Sequence, residues 1–150
     1  MKGQEGRLIA VKEVVFPTQG PNALTPDDKE KWREKSLKEV KALQKLNHEN
    51  VIHYYGSNVS PDNSKISIYL ELMSTSVSDE LKKNGPFDST KTLGYAHQIW
   101  QGLKHMHSKG VIHKDLKGTK IAIFCSFLLI CLFYRCQPLT GCQKRKAEDY

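Results

Sequence analysis

The sequence predicts an α+β chain. Segments rich in β-branched residues alternate with two stretches of helical periodicity, in the order strand, helix, strand, strand, helix, loop. Hydrophobic residues make up 39% and charged residues 26% of the 150, which is the balance of a folded domain with a sizeable core and not of a disordered chain.

The first zone runs from Arg7 to Leu46. Leu8 to Val15 is a β-branched run and reads as a strand. Phe16 to Asn22 carries Pro, Gly and Asn and reads as a loop. Thr25-Pro26-Asp27-Asp28 then marks a helix start. The threonine can cap, the proline suits the first helical position, and the two acids favour the positive end of the helix dipole. Leu37, Val40, Leu43 and Leu46 follow at a three-residue spacing and mark one apolar face.

The second zone runs from Asn47 to Lys120. Val51 to Gly56 and Ile66 to Leu72 read as strands, with a turn over Ser57 to Ser64. Leu93, Ala96, Ile99, Trp100, Leu103 and Met106 fit a helix of about fifteen residues. Lys109-Gly110 ends it with a cation and a glycine cap.

The third zone changes character. Ile121 to Tyr134 is apolar at every position but Ser126, and a polar stretch from Gln137 to Tyr150 follows. Ile121-Ala122-Ile123 can form one more strand. As a single helix the apolar run would reach about 21 Å at ~1.5 Å per residue, short of the ~30 Å of a bilayer core. Membrane association through 121–134 would need a thinned bilayer.

The formal charge of +7 is spread out and accompanies no nucleic-acid-binding signature, which argues against nucleic acid. All four cysteines, Cys125, Cys131, Cys136 and Cys142, lie in the tail and lack zinc spacing. Free thiols in apolar surroundings are expected, in a cytoplasmic setting since no signal peptide is visible.

Several motifs carry chemistry, and each is weak alone. Ala10-Val11-Lys12 puts a lysine on a strand, Glu39 sits on the next helix, and Leu70-Glu71-Leu72-Met73 closes a strand. His113-Lys114-Asp115-Leu116-Lys117-Gly118-Thr119-Lys120 is the sharpest of them. In this order, and with the lead-in from Gln98 to Ile112, the chain resembles a eukaryotic serine/threonine protein kinase domain, most like mitogen-activated protein kinase kinase kinases. The resemblance covers about Gly6 to Thr119. It implies a partial small lobe over 1–72, hinge, large-lobe helices and catalytic loop over 73–120, and a tail unlike kinases over 121–150.

The resemblance also implies ATP and Mg2+ as cofactors and a protein substrate, plausibly a mitogen-activated protein kinase kinase. Lys12 would reach the α- and β-phosphates and Glu39 would hold it. Backbone groups of Glu71 and Met73 would bond adenine, with Ala10 and Leu70 lining the pocket. Asp115 would orient the substrate hydroxyl, and Lys117 would neutralise the γ-phosphate. A lysine two residues after the aspartate is the serine/threonine pattern.

Four departures stand beside this. No G-x-G-x-x-G precedes Lys12, Lys114 replaces the usual arginine, and no D-F-G or A-P-E follows. Lys120 occupies the position of an asparagine that should ligate magnesium, and an ammonium has no lone pair to give a metal, so no metal ligand is assigned. The chain is therefore expected to be a weak or inactive kinase. The alternatives are a pseudokinase-like binding or regulatory fragment, or a membrane-associated one.

Overall fold

The computed structural model describes residues 8–16, 25–124, 127–131 and 143–146. The elements along the chain are strand β1 (Leu8–Val15), helix α1 (Pro26–Gln44), strands β2 (Tyr54–Val59), β3 (Lys65–Glu71) and β4 (Thr75–Ser76), helices α2 (Val77–Asn84) and α3 (Ser89–Ser108), a 3-10 turn (Gly118–Lys120), and strands β5 (Ile121–Phe124), β6 (Phe127–Ile130) and β7 (Gln143–Lys146). They gather into two compact units. The first holds residues 1–44, 54–71 and 142–150, and the second 45–53 and 72–141.

The first unit is an antiparallel sheet, in the order β2-β3-β1-β7, together with α1. β1 pairs with β3 from Ile9 opposite Glu71 to Val15 opposite Lys65. Side chains alternate across a strand, so Ile9 and Val11 share one face and Ala10 and Lys12 the other. Ile9, Val11, Ile66, Ile68 and Leu70 are buried. α1 begins as its residues dictate, the Thr25 hydroxyl accepting the Asp28 N–H at 3.2 Å. Its buried side carries Ser36, Val40 and Leu43, while Leu37 of the expected stripe is only half-buried. β2 starts at Tyr54, not at Val51, and runs on to Val59, taking Ser57 and Asn58 into the ladder opposite Ile68 and Ser67. The turn is confined to Ser60–Ser64, where the Ser60 N–H meets the Lys65 carbonyl at 3.0 Å. The expected loop from Pro17 to Asn22 lies outside the described residues.

In the second unit a sheet in the order β4-β5-β6 packs against α3. Tyr95, Ile121, Ile123 and Leu128 form its core, with Val77, Phe87 and Ile99 against them. The described part of the apolar run that could have been a bilayer helix forms two antiparallel strands: Ile121 opposite Ile130 through Phe124 opposite Phe127. Among the described residues no helix is long and apolar enough to cross a membrane. Within the polar end, Gln143–Lys146 pairs with β1.

Two helices depart from expectation. α2 is short and holds only two apolar residues, Val77 and Leu81, but Ser76 caps it, accepting the Asp79 N–H at 3.1 Å and donating to the Asp79 carboxylate at 2.6 Å. α3 is longer than the periodic stretch, because Asp88 caps it by accepting the Lys91 N–H at 2.8 Å. It buries Tyr95, Gly102 and Met106, whereas Leu93 and Trp100 stand 72% and 55% exposed. Its C-terminal stop is as read. Gly110 takes φ +71°, the Val111 N–H bonds the Met106 carbonyl, and the Gly110 N–H bonds the His107 carbonyl.

Gly102 is buried because α3 crosses the backbone at Asn50 there. A Cβ on it would lie 2.8 Å from the Asn50 carbonyl oxygen and 2.8 Å from Ile130 Cδ1. Gly102→Ala is therefore expected to cost about 1–3 kcal/mol, read as a lower midpoint in thermal denaturation. Gly94→Ala, on the same helix with nothing within 4 Å, is expected to stabilise by about 0.5–1 kcal/mol.

Candidate functional site

In the first unit β1 fixes the direction of Lys12, and α1 carries Glu39. The Lys12 ammonium stands 3.8 Å from the Glu39 carboxylate, and both side chains are partly exposed, at 26% and 34%. Ala10, two residues before Lys12, projects from the same face of β1. Its register partner on β3 is Leu70, and Glu71 stands opposite Ile9. Leu70 is buried; Ala10 and Glu71 are half-buried. Met73 belongs to the second unit, where the Cys131 thiol lies 3.4 Å from its sulfur. Cys131 is buried; Cys125, Cys136 and Cys142 lie outside the described residues.

The loop after α3 is built around His113, buried at 8% exposure. Its Nε2 lies 2.8 Å from the Cys131 carbonyl oxygen and donates to it, so Nδ1 is left to accept the Asp115 N–H at 3.3 Å. Lys114 between them has φ +64°, a left-handed conformation that a lysine adopts only at some cost. That reversal turns the Lys114 side chain outward and sets Asp115 back toward the chain that follows it.

The Asp115 carboxylate then meets two cations. Its Oδ2 is 2.8 Å from the Lys120 ammonium and 3.3 Å from the Lys117 ammonium. The two lysines differ: Lys117 is 48% exposed, Lys120 only 2%. Lys120 is held from its backbone too, its N–H bonding the Lys117 carbonyl at 2.8 Å and its carbonyl accepting the Cys131 N–H at 2.9 Å. The bond from Lys120, with Lys117 adding to it, holds the Asp115 carboxyl below the usual carboxylate range against the opposing effect of burial. For His113, burial pushes the imidazole below 6.5. Its bond to the Cys131 carbonyl opposes this, the Lys120 charge adds to it, and the Asp115 charge again opposes it.

A divalent cation does not fit this arrangement. The buried ammonium of Lys120 already occupies the carboxylate's inner side, and it repels a metal where an asparagine oxygen would attract one. Among the described residues no group of three or more His, Cys, Asp or Glu side chains gathers as a metal cage.

Sequence reasoning placed Asp115 and Lys117 in one loop, where the structure also has them. It missed Lys120 as the carboxylate's closest cation, and His113 as the brace of the loop. Both residues sat inside the motif. What was lacking was the hairpin strand that supplies Cys131, because the apolar run that forms it gave no period.

A strand lysine paired to a helix glutamate, and a His-x-Asp loop with a lysine two residues on, are the parts of a phosphoryl-transfer fold. The family model for the protein kinase domain matches residues 2–133, past the His113–Lys120 loop and through strands β5 and β6. The chain belongs to the protein kinase domain family, as a partial kinase fold. Its relatives include mitogen-activated protein kinase kinase kinase YODA of Arabidopsis thaliana, 33% identical over 80% of this chain and 13% of that protein. Mitogen-activated protein kinase kinase kinase 3 of Homo sapiens is 34% identical over 77% of this chain and 18% of its own length. Serine/threonine-protein kinase STE11 of Saccharomyces cerevisiae is 37% identical over 57% of this chain and 12% of its own. The chain thus matches less than a fifth of the length of each.

The histidines give this site a pH dependence. His113 holds its proton less readily folded than unfolded, so the stability it confers is complete above about pH 6.5 and is lost as pH falls toward its lowered folded value. His105 behaves alike, its imidazole lowered by burial first and then by His48 and Lys109. The melting midpoint is expected to drop between pH 7.5 and 5.5. His113→Asn should remove part of that slope, and an unchanged slope would show that the imidazole does not titrate with folding.

Proposed function

We propose that the chain is part of a serine/threonine protein kinase of a mitogen-activated kinase cascade, with ATP as phosphoryl donor and a mitogen-activated protein kinase kinase as substrate, acting in the cytoplasm. The observation that carries this is the ion pair of Lys12 with Glu39. A strand lysine braced by a helix glutamate is the arrangement with which kinases orient the ATP phosphates, and the names of the relatives support the cascade.

In this reading Lys12 binds the α- and β-phosphates. Ala10 and Leu70, opposite each other in the sheet, flank the adenine, and backbone groups of Glu71 and Met73 bond its edge. Asp115 accepts the hydrogen bond of the substrate hydroxyl, and Lys117, on the exposed side of the loop, meets the γ-phosphate. When bound, magnesium supplies charge neutralisation in this family at large, but Lys120 leaves this loop without a ligand for it. Transfer by these 150 residues is accordingly slow, well below the 1–100 per second of competent kinases.

A second reading has its own support. The pairing of the buried Lys120 with Asp115 is what a binding module can keep and a kinase has little use for. One set of measurements separates the two. Labelled phosphate from ATP should reach a mitogen-activated protein kinase kinase slowly but measurably, and both Lys12→Met and Asp115→Asn should abolish it. Absence of transfer, with capture of that partner unaffected by the two substitutions together, would establish the binding module instead.

A further inference from the structure

The Lys120 ammonium is the least exposed charge among the described residues, and nothing in phosphoryl transfer asks for it there. Burying an ammonium is costly unless an anion accompanies it. The anion is Asp115, 2.8 Å away, on a loop whose other end is fixed by His113 to the Cys131 carbonyl. The backbone of Lys120 is tied to the same residue through the Cys131 N–H. The backbones that carry carboxylate and ammonium are therefore both held to Cys131, Asp115 through His113 and Lys120 directly, which keeps the two charges within reach of each other.

We propose that Lys120 is a tethered cation that closes the catalytic loop to divalent metal, and that Asp115 serves the fold as its counter-ion. The proposal rests on reading Asp115 as the catalytic carboxylate only in calling the loop catalytic; the pairing itself is independent of activity. Its consequence is particular to this chain. Asp115→Asn, which in a loop holding asparagine at the position of Lys120 removes only chemistry, here takes away the carboxylate 2.8 Å from a buried ammonium and loosens the loop. Lys120→Met removes that ammonium at nearly constant volume, leaving Asp115 partly exposed beside Lys117.

A double-mutant cycle on the full chain tests this without any activity assay. Asp115→Asn should lower the thermal midpoint by about 5 °C or more. The same substitution made on Lys120→Met should cost much less, a coupling of at least about tenfold in the unfolding equilibrium. A second measurement uses the unaltered chain, and so does not depend on the variants folding. Millimolar magnesium chloride should leave the backbone amide signals of Asp115 to Lys120 and the midpoint unchanged. Additive costs in the cycle would overturn the counter-ion role, and magnesium-dependent shifts of those amides would overturn the closure. Either result leaves the kinase reading untouched, since phosphate transfer is measured separately.

Discussion

Two consecutive peptide groups, at Ile130 and Cys131, hold the loop from His113 to Lys120 and the segment after α1 in the second unit. The Ile130 N–H bonds the Asn50 carbonyl at 3.0 Å, and its own carbonyl accepts the Ile52 N–H at 3.1 Å. The Cys131 N–H bonds the Lys120 carbonyl, and its carbonyl accepts from His113. Buried peptide groups are seldom left without partners, and each such bond is worth about 0.5–1.5 kcal/mol net. The sum matters less than the geometry. One end of β6 fixes the start of the loop through a side chain and its end through the backbone, so the distance from His113 to Lys120 is set by a strand and not by the loop.

Side chains of the same unit brace that strand from behind. Asn50, almost wholly buried, donates to the Leu128 carbonyl at 3.2 Å and to Gln98 Oε1 at 3.3 Å, while Gln98 Oε1 also accepts the Leu128 N–H at 2.7 Å. α3, the segment at residue 50 and β6 are thus linked through two amide side chains. Gly102 allows the helix to approach the Asn50 carbonyl closely enough for this network to close. A hydrophobic hairpin alone would slide; the amides fix its register.

How much of this could be read beforehand follows from the strength of local signals. β1 and the start of α1 were legible because β-branched residues and a Thr-Pro-Asp-Asp cap speak for themselves. The Gly110 stop was legible for the same reason. The hairpin was not, since a short run apolar on both faces has no period to separate strand from helix. α2 was missed for want of apolar residues, although Ser76 and Asp79 spell its cap. The face of α3 was misplaced because Leu93 and Trp100 satisfy helical spacing yet remain exposed. In the site, Lys12 and Glu39 were legible as a motif. The pairing of Asp115 with Lys120 was not, because it depends on the left-handed turn at Lys114 and on a carbonyl from a distant strand.

The two lysine–carboxylate pairs show what the fold does with the same chemistry. Lys12 and Glu39 sit 3.8 Å apart and partly exposed, where an ion pair is worth about 0–1 kcal/mol and either member can change partner at little cost. A lysine so held can give up part of its glutamate for a phosphate. Lys120 and Asp115 sit 2.8 Å apart with the ammonium out of water, where separation would leave a charge unsolvated. The first pair suits exchange and the second suits permanence. A kinase loop needs its aspartate to exchange, meeting a hydroxyl in each cycle. Burial of Lys120 therefore bears on catalysis more directly than the change from arginine at Lys114, which leaves an exposed cation in place.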